Sequence, residues 1–160
     1  MSDAASGDLL IRGATILPSA QATSPFTGDI LIRNGVIADI GAVADPGGVR
    51  VLRADGCLAI PGLVNAHLHS PGNFMRGTLD GLPLELFMLR EVPPLAEGVE
   101  DPDVVRIRTL LGAAEMLKLG ITSVMDDAFF VPLVSEPAVD ALAGAYAEIG
   151  MRATVTLDQP

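Results

Sequence analysis

Residues 61–70, PGLVNAHLHS, contain both histidines of the 160-residue sequence and begin at a proline-glycine break. The apolar run 63–66 predicts a short strand. Residues two apart on a strand point to the same side, so His67 and His69 can present two imidazoles to one ion if they lie at the strand's carboxyl end, with Leu68 facing the other way. Neutral imidazole binds zinc, iron or nickel. An isolated His-x-His pair is usually incidental, so the flanking sequence decides its meaning.

Residues 8–60 alternate short apolar runs with turn-forming residues, which predicts a small β-unit. Asn34-Gly35 is the strongest hairpin signal, and Gly13 predicts another turn. Cys57 lies in an apolar run and has no neighbouring base, so we expect it to be buried and without a catalytic role. The predicted strands are 9–11, 14–17, 29–33, 36–40 and 49–52.

The sequence after residue 100 changes to a strand and helix rhythm. Asp101 predicts a helix N-cap, Pro102 the first helical position, and Gly120 the end of that helix. Strands 121–125 and 153–157 flank a second predicted helix at about 137–149. The apolar stripe predicted to face the core from the first helix comprises Val104, Val105, Ile107, Leu110, Leu111, Ala114 and Leu117.

Alternating strands and helices predict an α/β fold built from right-handed βα units on a parallel sheet. Three parallel strands alone would leave long unpaired edges, which an eight-stranded barrel removes. The sequence therefore predicts an incomplete barrel. The high hydrophobic content, 49%, indicates either strands covered on both faces or apolar surface that meets another polypeptide segment.

Charge and cysteine content exclude several classes of function. The net charge of −10 argues against nucleic-acid binding and against a basic membrane-surface patch. One cysteine excludes an intrachain disulfide and a thiolate metal cluster, which fits a reducing cytoplasm. The first eight residues lack a signal-peptide pattern, and no apolar run approaches the roughly 20 residues of a membrane span. We expect a soluble, cytoplasmic protein.

The run 61–70, followed by Phe-Met-Arg-Gly at 74–77, Asp80 and Leu-Pro-Leu at 82–84, resembles the amidohydrolase superfamily. The resemblance is to its deaminase and chlorohydrolase branch, which includes adenosine-derivative, guanine, cytosine and triazine hydrolases. It extends over almost the whole chain but over less than half of such an enzyme.

The resemblance implies a two-part β-sandwich beside a distorted (β/α)8 barrel of the TIM type. Residues 1–60 are then the N-terminal part of a composite β-sandwich. Residues 61–160 are the first βα units of the metal-dependent hydrolase barrel, which is incomplete in this chain.

The resemblance also implies one divalent metal ion, zinc first and iron or nickel as alternatives, with His67 and His69 as two ligands. In that branch a histidine on the fifth strand and an aspartate on the eighth complete the ligand set, and a glutamate and a histidine at the sixth aid proton transfer. No counterparts occur after His69, so no catalytic residue is expected in this chain. The remaining barrel segment, from the same protein or a second chain, would supply His, His and Asp, and we expect a homo-oligomer.

Two further residues are candidates for substrate contact. Arg76 either contacts substrate or positions its loop by pairing with a carboxylate or capping carbonyl groups. Glu97 lies near the position at which adenosine-deaminating relatives carry an acid after a Trp-Pro pair, although the tryptophan is absent here. A solvated acid near a helix start is the alternative for Glu97.

Asp126 and Asp127 follow the predicted strand 121–125, at the end where barrel enzymes carry their functional loops. Either can support the metal ligands by hydrogen bonding. One of them can equally be a turn former that accepts backbone N–H bonds in a β-to-α loop.

The function expected from the resemblance is hydrolytic deamination of a nucleobase-like, nucleoside-like or related N-heterocyclic small molecule by a metal-bound hydroxide. The alternative enzyme is a triazine-type chlorohydrolase or aminohydrolase, or a cyclic amide hydrolase. The alternative outside enzymes is an inactive truncated remnant or a β-interaction module. This chain alone is expected to be inactive.

Overall fold

The computed structural model describes residues 7–78, 80–91, 99–130 and 133–158. The chain divides into two compact units, Met1–Pro61 and Gly62–Pro160. Within the described ranges, no helix is both long and apolar enough to span a membrane.

The first unit is a five-stranded mixed sheet. Strand β1 pairs antiparallel with β2, which pairs antiparallel with β3, while β4 and β5 both run parallel to β1. The hairpin predicted at Asn34-Gly35 is confirmed, with φ of 51° and 76° at its two central residues. The strands are β1 (Leu9–Ile16), β2 (Phe26–Arg33), β3 (Val36–Gly41), β4 (Arg50–Arg53) and β5 (Leu58–Ala59).

Two predictions for this unit are wrong. Gly13 forms no turn, because β1 continues through it as one strand with a register shift at this point, the mark of a β-bulge. The left-handed φ of 74° at Gly13 allows the bulge, and its N–H donates to Asp29 Oδ1 at 2.9 Å. Cys57 is exposed because it lies in a turn, where its N–H donates to the carbonyl oxygen of Ala54 at 2.9 Å.

The second unit confirms the predicted α/β class. Its sheet has the order β6-β7-β8 with all strands parallel, and helices cross over between consecutive strands. The 3-10 helix and α1 lie in a segment whose sequence gave no periodic signal. The elements are β6 (Leu63–Leu68), the 3-10 helix (Ser70–Met75), α1 (Leu84–Glu91), α2 (Pro102–Lys118), β7 (Ile121–Phe129), α3 (Glu136–Ile149) and β8 (Arg152–Asp158).

Helix α2 begins as predicted, because the Asp101 side chain accepts the Asp103 N–H and Pro102 occupies the first turn. Its predicted core-facing stripe is partly wrong. Val104, Ile107 and Leu111 are exposed, whereas the buried face carries the polar Arg108 and Thr109 besides small and apolar residues. Apolar side chains therefore lie on both sides of this helix.

Strand β7 carries the core of the second unit on alternate residues. Val124, Asp126 and Ala128 are buried, in a cluster that includes Leu142 and Tyr146 of α3. The strand extends four residues beyond its predicted end at residue 125, so Asp126 and Asp127 both lie inside it and neither is a turn former in a loop.

Candidate metal centre

A close approach of two chain segments fixes the start of β6. A Cβ atom on Gly62 would overlap the Thr122 side chain, so only glycine fits at this point of the proline-glycine break. The Leu63 N–H then donates to the carbonyl oxygen of Gly120 at 2.9 Å, which aligns β6 with β7. Parallel pairing continues to Leu68 opposite Asp126. The two histidines consequently lie at the carboxyl end of β6, where parallel-barrel enzymes place their sites.

His67 and His69 lie side by side, with ring centroids 4.6 Å apart and ring planes at 85°. Both side chains are exposed, whereas Leu68 between them packs against the core of the second unit. This alternation is the one predicted from strand geometry. The two imidazoles share one side of β6 and are not turned apart.

The separation of the rings fits two ligands of one ion. A metal–nitrogen distance of about 2.0–2.1 Å places each ring centroid about 3.2 Å from the ion, and a ligand angle of about 90–110° separates the centroids by about 4.5–5.2 Å. The observed 4.6 Å lies in this interval. Among the residues that the structure describes, no group of three His, Cys, Asp or Glu side chains is placed to hold a metal, so these ranges offer a pair of donors and not a full set.

A hydrogen bond selects the tautomer of His69. Its Nδ1 lies 2.8 Å from the backbone carbonyl oxygen of Asp127. Because a carbonyl oxygen only accepts, Nδ1 carries a proton, and in the neutral ring Nε2 therefore keeps its lone pair. Histidines that bind metals commonly donate their second ring N–H in this way. The ring also lies beside Phe129, with centroids 5.7 Å apart.

Asp126 and Asp127 point to opposite faces of β7. The carboxylate of Asp126 is fully buried and accepts the Ser70 N–H at 2.9 Å and the Tyr146 hydroxyl at 2.8 Å. Asp127 accepts from the Thr156 hydroxyl at 2.9 Å, on the histidine side of the sheet. Burial, and then the charge of Asp126, raises the pKa of Tyr146 above its ordinary value, so this phenol remains a donor.

Arg76 pairs with a carboxylate, one of the two roles considered for it. Its guanidinium forms an ion pair with Glu115 on α2 and donates to Asn73 Oδ1 at 3.4 Å. The pair links the end of the 3-10 helix to α2. Glu97 lies outside the described residues.

Sequence reasoning missed Ser70, Tyr146 and Thr156, which hold the two aspartates. One signal for Tyr146 was present, because the only tyrosine of the chain occupies the apolar face of α3 with Ala138 and Leu142. A buried tyrosine hydroxyl requires a hydrogen-bond partner. Ser70 acts through its backbone, so its residue type carried no signal.

Parallel βα units with a histidine pair at the carboxyl end of the first strand are typical of barrel metallohydrolases. The sequence of the chain agrees with this class. The model of the Amidohydrolase family matches residues 58–159, and the chain belongs to this family.

Similar proteins include two 5-methylthioadenosine/S-adenosylhomocysteine deaminases. That of Caldicellulosiruptor saccharolyticus is 34% identical over 138 residues, which cover 83% of this chain and 32% of the relative. That of Desulforudis audaxviator is 37% identical over 151 residues, which cover 92% and 33%.

Solved structures give a consistent result. Atrazine chlorohydrolase from Arthrobacter aurescens TC1, complexed with zinc, matches with a TM-score of 0.80 and 29% identity, over 93% of this chain and 35% of that chain. An adenosine deaminase from Xanthomonas campestris with bound zinc matches with a TM-score of 0.72 and 32% identity, over 91% and 33%. The chain thus spans about a third of the length of the proteins it matches.

Proposed function

We propose that this chain contributes two imidazole ligands, His67 and His69, to the divalent-metal centre of a hydrolytic deaminase. The observation that carries the proposal is the pair of rings 4.6 Å apart at the carboxyl end of β6. Membership of the Amidohydrolase family supports it.

The residues of this chain would bind and orient the ion. His69 would offer Nε2, because its Nδ1 proton is held by the carbonyl group of Asp127. His67 is exposed on the same side of the strand and would offer the second nitrogen. A bound divalent ion supplies a water that is activated for hydrolysis near neutral pH.

We propose zinc as this ion, because two of the solved relatives contain zinc. Iron and nickel accept the same imidazole donors and are the alternatives. Elemental analysis of the purified protein distinguishes the three metals.

The proposed substrate is a small adenosine derivative that loses ammonia. The curated relatives named above are deaminases of 5-methylthioadenosine and S-adenosylhomocysteine, and another relative, from Methanococcus vannielii, is a 5'-deoxyadenosine deaminase. Loss of chloride from a triazine is the second candidate, favoured by the TM-score of 0.80 to atrazine chlorohydrolase.

Two imidazoles alone leave the ion without a full set of protein ligands. We propose that a barrel segment beyond these residues, in the same protein or a second chain, supplies His, His and Asp. The exposed apolar side chains Val64 and Met125 of the parallel sheet support this, since a closed barrel would cover them. Residues 1–60 would belong to a composite β-sandwich, and the whole would form a cytoplasmic homo-oligomer.

Contacts of Arg76 and Glu97 with substrate are secondary proposals. For Arg76 such a contact requires its pair with Glu115 to open. If Glu97 contacts substrate, Glu97→Gln changes the preference among nucleoside substrates without changing metal content. If Arg76 contacts substrate, Arg76→Lys raises the KM for that substrate.

The metal proposal is tested by His67→Ala and His69→Ala in the assembled protein, each compared with Cys57→Ser as a control that removes another potential ligand. Both histidine variants should lose bound metal, whereas Cys57→Ser should retain it. Full metal content in either histidine variant rejects that ligand assignment.

The reaction is tested by incubating the purified assembly, with the remaining barrel segment present, with 5-methylthioadenosine, S-adenosylhomocysteine, 5'-deoxyadenosine, guanine, cytosine and atrazine. Ammonia release from an adenosine derivative supports the deaminase proposal. Chloride release from atrazine without ammonia release from any nucleoside supports the second candidate instead.

A further inference from the structure

A carboxylate buried without water is costly unless hydrogen bonds satisfy it. Asp126 is fully buried and accepts two such bonds, from the Ser70 N–H at 2.9 Å and from the Tyr146 hydroxyl at 2.8 Å. A neutral side chain of this size would cost less to bury. The position of the charge relative to the histidines therefore requires an explanation.

The carboxylate acts at the start of the 3-10 helix Ser70–Met75. The first N–H groups of a helix have no partner inside it and are commonly satisfied by the residue at the N-cap. His69 is that residue, and its side chain makes no capping bond. Asp126 on the neighbouring strand satisfies the Ser70 N–H instead. The imidazole of His69 is thereby left free for another contact.

The next residue of β7 provides that contact. The carbonyl oxygen of Asp127 lies 2.8 Å from Nδ1 of His69. Two successive residues of β7 thus hold two successive residues after β6: the Asp126 side chain holds Ser70, and the Asp127 backbone holds the ring of His69. The parallel register, with Leu68 opposite Asp126, brings both contacts into reach.

We infer that Asp126 is a positioning residue for the proposed metal centre. Its hydrogen bond from the Ser70 N–H keeps His69 against the Asp127 carbonyl group and leaves Nε2 of His69 available to bind the ion. Tyr146 completes the network by holding the second carboxylate oxygen. This inference rests on the proposed function for its role toward the metal. Its effect on the His69 tautomer is independent of the metal.

A role in stability alone predicts different behaviour. If Asp126 only joins β7, α3 and the 3-10 helix, its loss lowers stability as any buried defect would. Leu142→Ala provides the matched control. Leu142 belongs to the core around Tyr146 and is 1% exposed, and its apolar side chain forms no hydrogen bond in the network of Asp126. Asp126→Asn keeps the shape and an oxygen acceptor but removes the charge.

The first experiment records the imidazole nitrogen resonances of the metal-free protein at about pH 8. The His69 signals are assigned by their loss in His69→Ala. The wild type and Leu142→Ala should show the Nδ1-protonated tautomer, and Asp126→Ala should show a mixture of both tautomers. Asp126→Asn should lie between them, because a neutral hydrogen bond is about half as strong as a charged one. If Asp126→Ala does not fold, the comparison between Asp126→Asn and Leu142→Ala decides.

The second experiment titrates the same variants with zinc alone, each in the full assembly that includes the remaining barrel segment. Asp126→Ala should bind zinc about 10–100-fold more weakly than Leu142→Ala, compared under conditions in which the two variants are equally stable. If the wild-type assembly binds no zinc while Asp126→Ala still shows the mixture of tautomers, the proposed function is rejected and the positioning role of Asp126 is supported. Tight zinc binding with the same tautomer and affinity in the Asp126 variants and Leu142→Ala overturns the positioning role and leaves the metal site standing.

Discussion

The hydroxyl of Tyr146 donates a 2.8 Å hydrogen bond to the fully buried carboxylate of Asp126, which joins α3 to β7. Hydrogen bonds to buried charges contribute about 1.5–3 kcal/mol. Tyr146→Phe should therefore lower the free energy of unfolding by about this amount. Denaturant unfolding measures the change, and Thr156→Val, which removes a bond to the less buried Asp127, should cost less. Equal losses in the two variants would contradict the importance of burial.

The same tyrosine predicts a dependence of stability on alkaline pH. Burial and the Asp126 charge raise its pKa above the ordinary value of 10.0, so the folded state holds the phenolic proton more tightly than the unfolded chain. The resulting contribution of Tyr146 to the free energy of unfolding is fully present below pH 10. It is lost as pH rises above that value, by up to about 1.4 kcal/mol per pH unit. Wild type should lose stability faster than Tyr146→Phe between about pH 9 and 11. Parallel curves for the two proteins would contradict this.

Two ion pairs of α2 should differ strongly in their contribution to the free energy of unfolding. Arg108 is buried and pairs with Glu100 through two bonds of 2.6 and 2.7 Å, whereas Arg106 and Glu148 form an exposed pair. Glu100→Ala leaves a buried cation without its partner and should cost about 3 kcal/mol or more. Glu148→Ala should cost about 0–1 kcal/mol. Unfolding in low and high salt checks both, since salt should weaken only the exposed pair appreciably. A similar loss in both variants would contradict the assignment.

The sequence predicted elements whose signals are local. The hairpin at Asn34-Gly35, the caps of α2 and the direction of Leu68 away from the histidines all follow from nearby residues. Gly13 was misread because a glycine signals positive φ but does not distinguish a turn from a bulge. That choice depends on the partner strand and on Asp29.

Contacts between distant segments could not be predicted. The buried face of α2 differs from its apolar stripe because Arg108 is compensated by Glu100, and no local pattern reports such a partner. Asp126 likewise bonds to Ser70, which is 56 positions away in the sequence, and to Tyr146, which is 20 positions away. The candidate metal pair His67 and His69 was recognisable because both histidines lie within three residues.

Gly112 and Gly144 lie on α2 and α3, so alanine should stabilise each helix by about 0.5–1 kcal/mol if the surroundings allow it. Nothing lies within 4 Å of a Cβ atom at Gly144, whereas one at Gly112 would overlap the amide group of Asn73. Asn73 is buried and donates to the carbonyl oxygen of Arg108 at 3.2 Å, so it cannot move without losing that bond. Gly144→Ala should therefore raise the thermal midpoint, and Gly112→Ala should lower stability by about 1–3 kcal/mol. If Gly112→Ala proved as stabilising as Gly144→Ala, the 3-10 helix that carries Asn73 would have to be looser against α2 than its contacts indicate.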